Sequence, residues 1–137
     1  NLPLPRFVSI RADSANARRG PGLDHRVDWA FVRRNLPVEV TAEYGNWRRV
    51  RDADGLGGWV HHTLLSGVRT GLVTGAAAAA VRTDPEPEAR VRALAEPGAV
   101  LRIEECHSGW CDVNAAGLRG WIEASALWGV RPGEEFD

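Results

Sequence analysis

The two cysteines are the first residues whose type and spacing point to chemistry. Cys106 and Cys111 flank His107-Ser108-Gly109-Trp110, a short connection that reads as a hairpin. Residues at its two ends face each other on paired antiparallel strands, with Cβ atoms near enough for a disulfide. We therefore expect a Cys106–Cys111 bridge. Closing so short a loop adds only about 2 kcal/mol in the chain-entropy account, and it implies an oxidising compartment. Other uses of sulfur fit less well. A redox-active pair ordinarily has the tighter Cys-x-x-Cys spacing near a helix start. Zinc needs four ligands, whereas Cys106, Cys111 and His107 lie far along the chain from His61-His62. A Cys–His nucleophile pair is opposed by strand geometry, which points adjacent residues to opposite faces. Neither a metal site nor a cofactor is expected.

The second set is aromatic and cationic. Trp29, Tyr44 and Trp47 share the first half of the chain with Arg18, Arg19 and Arg48. Aromatic faces stack on sugar rings and peptide groups, and guanidinium forks hold carboxylates. Together with Trp110, the later counterpart of Trp47, these are the candidate ligand contacts. The competing reading is that the arginines are solvated and their stems cover apolar surface. Trp59 and Trp121 each follow Gly and precede a β-branched residue, and are expected to pack. Catalysis is not expected: there is no Gly-x-Ser-x-Gly, His-Glu-x-x-His, phosphate loop or dinucleotide fingerprint.

The elements that must position these residues occur twice. Gly45-Asn46-Trp47-Arg48-Arg49-Val50 recurs as Ser108-Gly109-Trp110-Cys111-Asp112-Val113, and Gly58-Trp59-Val60 recurs as Gly120-Trp121-Ile122. Leu65 recurs as Leu127, and Val81-Arg82 answers Ala17-Arg18. The spacing slips by one residue where Arg51-Asp52-Ala53-Asp54 becomes Asn114-Ala115-Ala116, a turn that tolerates a deletion. The cysteines take the places of Glu43 and Arg48, an opposite-charge pair that should also face each other. Phe7 to Ile10, Val27 to Phe31 and Val38 to Ala42 alternate as strands do, and Gly45-Asn46 and Asp54-Gly55 mark hairpins. Thr63-Leu64-Leu65 reads as a helical turn, and the polar tail from Pro132 to Asp137 reads as loose. Short strands with tight Gly turns argue for small all-β barrels. Repeats of about 60 residues are marginal alone, so the two are expected to pack together or carry a covalent staple.

Composition is that of a globular chain of 137 residues with a net charge of −1 and no apolar run of membrane-spanning length. All 17 basic residues are arginine, and methionine is absent. A chain starting at Asn1 is expected to have lost a leader. The charge is uneven: residues 1–70 hold 11 Arg against 7 acidic residues, residues 71–137 hold 6 against 11. Nucleic acid is disfavoured as a partner by the overall charge and expected export.

Asn16-Ala17-Arg18-Arg19-Gly20-Pro21, Gly45-Asn46-Trp47 and Gly58-Trp59-Val60, with Val81-Arg82, Gly109-Trp110-Cys111 and Gly120-Trp121-Ile122 in the second copy, resemble the bacterial SH3-like domain. The chain looks like the two-repeat exported proteins of that type found in alphaproteobacteria. The resemblance implies five-stranded, partly open barrels, here repeat 1 at 6–70 and repeat 2 at 71–131. It also implies export to the periplasm or beyond, and binding of cell-wall or protein ligands near the position of Trp47. Proline-rich recognition by relatives uses flanking tyrosines; here Leu64 and Ala126 stand near one of those positions. The expected fold is thus all-β, two tandem SH3-like barrels. The expected function is a non-catalytic binding module for cell-wall peptide, peptidoglycan or an envelope protein. The alternative is a structural or assembly subunit that contacts itself or a fixed protein partner.

Overall fold

A computed structural model describes residues 2–137. The chain divides into two compact units, Asn1–Val68 and Arg69–Asp137. Unit 1 contains β1 (Arg6–Ile10), β2 (Ala15–Arg18), β3 (Val27–Phe31), β4 (Pro37–Tyr44), β5 (Trp47–Arg51), β6 (Gly57–His61) and β7 (Leu65–Ser66). Unit 2 contains β8 (Thr70–Val73), β9 (Ala79–Arg82), β10 (Val91–Ala95), β11 (Val100–His107), β12 (Trp110–Ala115), β13 (Leu118–Glu123) and β14 (Leu127–Trp128). A single 3₁₀ turn precedes the last strand of each unit, at His62–Leu64 and Ala124–Ala126.

The two sheets share one topology. Strand order is β3-β2-β6-β5-β4-β1-β7 in unit 1 and β10-β9-β13-β12-β11-β8-β14 in unit 2, with every pairing antiparallel. The fold is all-β: two SH3-like domains, each with five strands (β1 and β4–β7 in unit 1) extended by a hairpin (β2–β3). Each encloses its own core. Ile10, Phe31, Val38, Val40, Val50 and Val60 fill the first; Val73, Leu101, Ile103, Val113, Ile122 and Leu127 fill the second. These positions alternate with exposed or half-exposed residues along most strands, as the two-residue period of a one-sided sheet requires.

Along β3 only Phe31 reaches the core, whereas Val27 and Trp29 are 44% and 39% exposed. Strand β3 is the outermost in its sheet, so most of it overhangs the barrel. The expectation of a loose tail from Pro132 to Asp137 needs correction, because the tail is docked. Cys106 exchanges two backbone hydrogen bonds with Phe136, at 2.8 and 3.0 Å. Glu134 grips Arg69 through both carboxylate oxygens, at 2.8 and 3.0 Å, and the Phe136 ring lies 4.3 Å from the Arg69 guanidinium carbon. A half-buried cation requires a counter-charge, and polar tail residues supply it.

Candidate functional site

Hairpin geometry builds the site in unit 1. Gly45, at φ 56°, takes the left-handed first position of a two-residue turn. That turn sets Tyr44 opposite Trp47, and the next hairpin sets Trp47 opposite His61. Residues paired in this way share one face of a sheet, so Tyr44, Trp47 and His61 form a row across β4, β5 and β6. The rings of Trp47 and His61 meet edge to face, 5.4 Å apart at 85°. The Asn46 carbonyl accepts the His62 N–H at 2.9 Å, which ties the 3₁₀ turn to the hairpin tip and brings Leu64 alongside.

Trp47, His61 and Leu64 form one side of a cavity of about 260 Å³; Ser14, Asn16, Arg18 and Leu23 complete it. Ser14, Asn16 and Arg18 face outward because they alternate with the buried Ala15 and Ala17. Arg18 Nη1 donates to the carbonyls of Leu23 (3.2 Å) and His25 (2.8 Å). The same side chain that lines the cavity therefore shapes the loop after β2. Nδ1 of His61 lies 2.8 Å from Thr63 Oγ1 and accepts from the Thr63 N–H at 3.4 Å. With Nδ1 accepting, the neutral ring carries its proton on Nε2. The cavity thus combines an aromatic face, two leucines, and donors from guanidinium, imidazole and amide. That chemistry suits a carboxylate or peptide amide beside an apolar group.

The remaining candidates fall elsewhere. Tyr44 is 68% exposed beside Trp47. Trp29 sits on β3 opposite Ala17 and does not line the cavity. Arg19 is held by Asp28 at 3.3 Å, with Arg26 at 2.8 Å from the same carboxylate. Burial opposes ionisation of Asp28, but hydrogen bonds from Arg26 and Arg19 outweigh it and lower its pKa. Arg48 is held by Glu43 at 2.8 Å. The Glu43 pKa is also lowered, chiefly by the hydrogen bond from Arg6, against burial. Arg19 and Arg48 are thus each paired within unit 1 to a carboxylate that a second arginine shares, while Arg18 faces the cavity.

Trp110 stands in unit 2, in a row with His107 and Glu123. Acidic groups crowd this row: Asp137 pairs with His107, and Glu135 accepts from the Ser108 N–H at 3.1 Å. Cys106 and Cys111 are joined in a disulfide, with Cα atoms 4.1 Å apart. Trp59 and Trp121 are half-buried outside both cores, opposite Arg18 and Arg82. Sequence reasoning had not assigned Ser14, Asn16, Leu23 or His61 to the site. Counting strand register from the Gly45-Asn46 turn would have found His61, and alternation about Ala15 and Ala17 would have found Ser14 and Asn16. Among the described residues, no three His, Cys, Asp or Glu side chains are placed to hold a metal ion.

The family model described as bacterial SH3 domain matches residues 11–67 and 75–129, one stretch in each unit. Similar solved structures include NlpC2 from Trichomonas vaginalis, with 14% identity, a TM-score of 0.41, and coverage of 93% of this chain and 49% of that one. NlpC1 from Trichomonas vaginalis gives the same identity and TM-score, with coverage of 93% and 46%. The chain spans about half the length of these two proteins. No curated protein matches it.

Proposed function

The chain belongs to the bacterial SH3 domain family, and from that premise we propose that it is a non-catalytic binding module of the cell envelope. Its ligand is cell-wall peptide or an envelope protein segment, received by the unit 1 cavity between Trp47 and Arg18. The observation that carries this reading is the row of Tyr44, Trp47 and His61 beside the outward-facing Asn16 and Arg18. Stem peptides of peptidoglycan offer carboxylates, amides and small apolar side chains, which are the groups this cavity complements. The Cys106–Cys111 disulfide and bacterial SH3 family membership support a periplasmic or secreted location.

Retention on purified peptidoglycan tests the proposal. Trp47→Ala is expected to lose most of the bound protein, and His61→Ala part of it, both with a folded spectrum. Equal retention of wild type and both variants counts against this surface.

A further inference from the structure

The second core is open at the place where the first is plugged. Strand register equates Phe31 with Ala95, because Ala15 faces Phe31 as Ala79 faces Ala95. It likewise equates Trp29 with Ala93, opposite Ala17 and Val81. In unit 1 the Phe31 ring is 2% exposed and belongs to the core. Unit 2 therefore lacks the phenyl ring that fills the first core, and also the half-exposed indole that flanks it on β3. Val81 for Ala17 and Leu101 for Val38 return only a few methyl groups. What remains is a largely apolar cavity of about 270 Å³, lined by Val81, Ala93, Ala95, Leu101, Val113 and Leu118 among others.

Another such exchange in unit 2 has been closed. Register equates Val8 with Gly71, opposite Val38 and Leu101. A Cβ on Gly71 would meet Leu127 Cδ1 at 3.0 Å and Ile103 Cδ1 at 3.2 Å. The space left by a missing valine is thus filled there, whereas the space left by Phe31 is not.

Two further features describe what would enter. Strand β10 ends its sheet, so its outer edge is a template for an added strand. Its Leu94, 64% exposed, lines the cavity, and Val91 at the other end of the strand is 45% exposed. Acidic residues outnumber basic ones along it: Asp84, Glu86 and Glu88 are exposed in the loop before it and Glu96 after it lines the cavity, against exposed Arg90 and Arg92 at its start.

We propose that unit 2 is a receptor for one aromatic side chain, carried on an extended basic segment of a partner protein that adds to the β10 edge. The unit 1 architecture indicates the chemistry of the anchor, the open edge indicates an extended chain, and the flanking acids indicate its charge. This site is separate from the one proposed around Trp47.

The test is a titration of the isotope-labelled full chain, followed by amide resonances, with acetyl-Lys-Val-Phe-Val-Lys-amide, its Phe-to-Ala analogue, and toluene. The phenylalanine peptide is expected to shift amides of Ala93, Leu94, Ala95, Ala99 and Leu118, and the analogue to bind at least tenfold more weakly. Ala95→Phe should abolish the shifts and raise the unfolding temperature. Should that variant not fold, Leu118→Asp at the mouth is expected to weaken binding at least tenfold. Trp47→Ala should leave the titration unchanged, so this proposal and the unit 1 proposal fail separately. The inference is overturned if the peptide leaves those amides unmoved, if the analogue binds equally well, or if both cavity variants bind as wild type does. Binding of toluene without binding of the peptide also overturns it.

Discussion

Arg6 of unit 1 and Arg69 of unit 2 enter equivalent strands and meet different chemistry. Arg6 reaches Glu43 at 3.0 Å, and Glu43 also holds Arg48 at 2.8 Å. In unit 2 the places of Glu43 and Arg48 belong to Cys106 and Cys111, and the bond across the hairpin is covalent. That exchange removes the carboxylate that would have faced Arg69. The tail restores it through Glu134, and Phe136 covers the guanidinium. One hairpin thus tolerates an ion pair or a disulfide, because the pleat places either pair of side chains face to face. The arginine is less tolerant: wherever it is half-buried, a counter-charge is drawn from whatever chain lies nearby.

The cores differ in the opposite sense. Unit 1 has Phe31 where unit 2 has Ala95, and unit 2 gains the staple that unit 1 lacks. Phe31→Ala should therefore give the largest effect, removing about 3–5 kcal/mol from unit 1. Hydrogen exchange of unit 1 amides measures it. A loss below about 1 kcal/mol would show that Phe31 does not plug this core.

Replacing Cys106 and Cys111 together by serine should cost unit 2 about 2 kcal/mol. Exchange rates of unit 2 amides should rise while those of unit 1 stay unchanged. Accelerated exchange in unit 1 as well would contradict the assignment of the staple to one core.

Glu134→Gln should have the smallest effect, about 1 kcal/mol, because the pair is partly exposed. The Arg69 hydrogen bond lowers the Glu134 pKa below its usual 4.5, against burial, with further help from the Arg131 N–H. A carboxyl lowered in the folded state stabilises fully above its unfolded pKa and loses that contribution as pH falls through the folded one. Acidification below about 4.5 should thus weaken unit 2, and Glu134→Gln should flatten that part of its pH profile. A profile of unchanged slope would mean that the tail does not hold Arg69.

Much of this was legible in one dimension. Duplication set the number of units, and the Gly45-Asn46 and Ser108-Gly109 turns set hairpin register. Register in turn placed Cys106 against Cys111 and Glu43 against Arg48. These are local consequences of strand period and turn length, so neighbouring residues suffice to specify them. Trp47 stands out as a candidate because it follows the Gly45-Asn46 turn and recurs as Trp110. His61 does not, because its meeting with Trp47 depends on the register of a second hairpin.

The amino-acid sequence by itself determined the repeat, the strand period and the cross-strand pairs, because each follows from spacing along a few residues. Only the tertiary structure decided that the tail is docked, that Arg19 and Arg48 are paired with carboxylates while Arg18 faces a cavity, and that an alanine in place of a phenyl ring at Ala95 leaves an open space. Those outcomes depend on how charge and volume are balanced among segments far apart in the chain, and no local pattern records that balance.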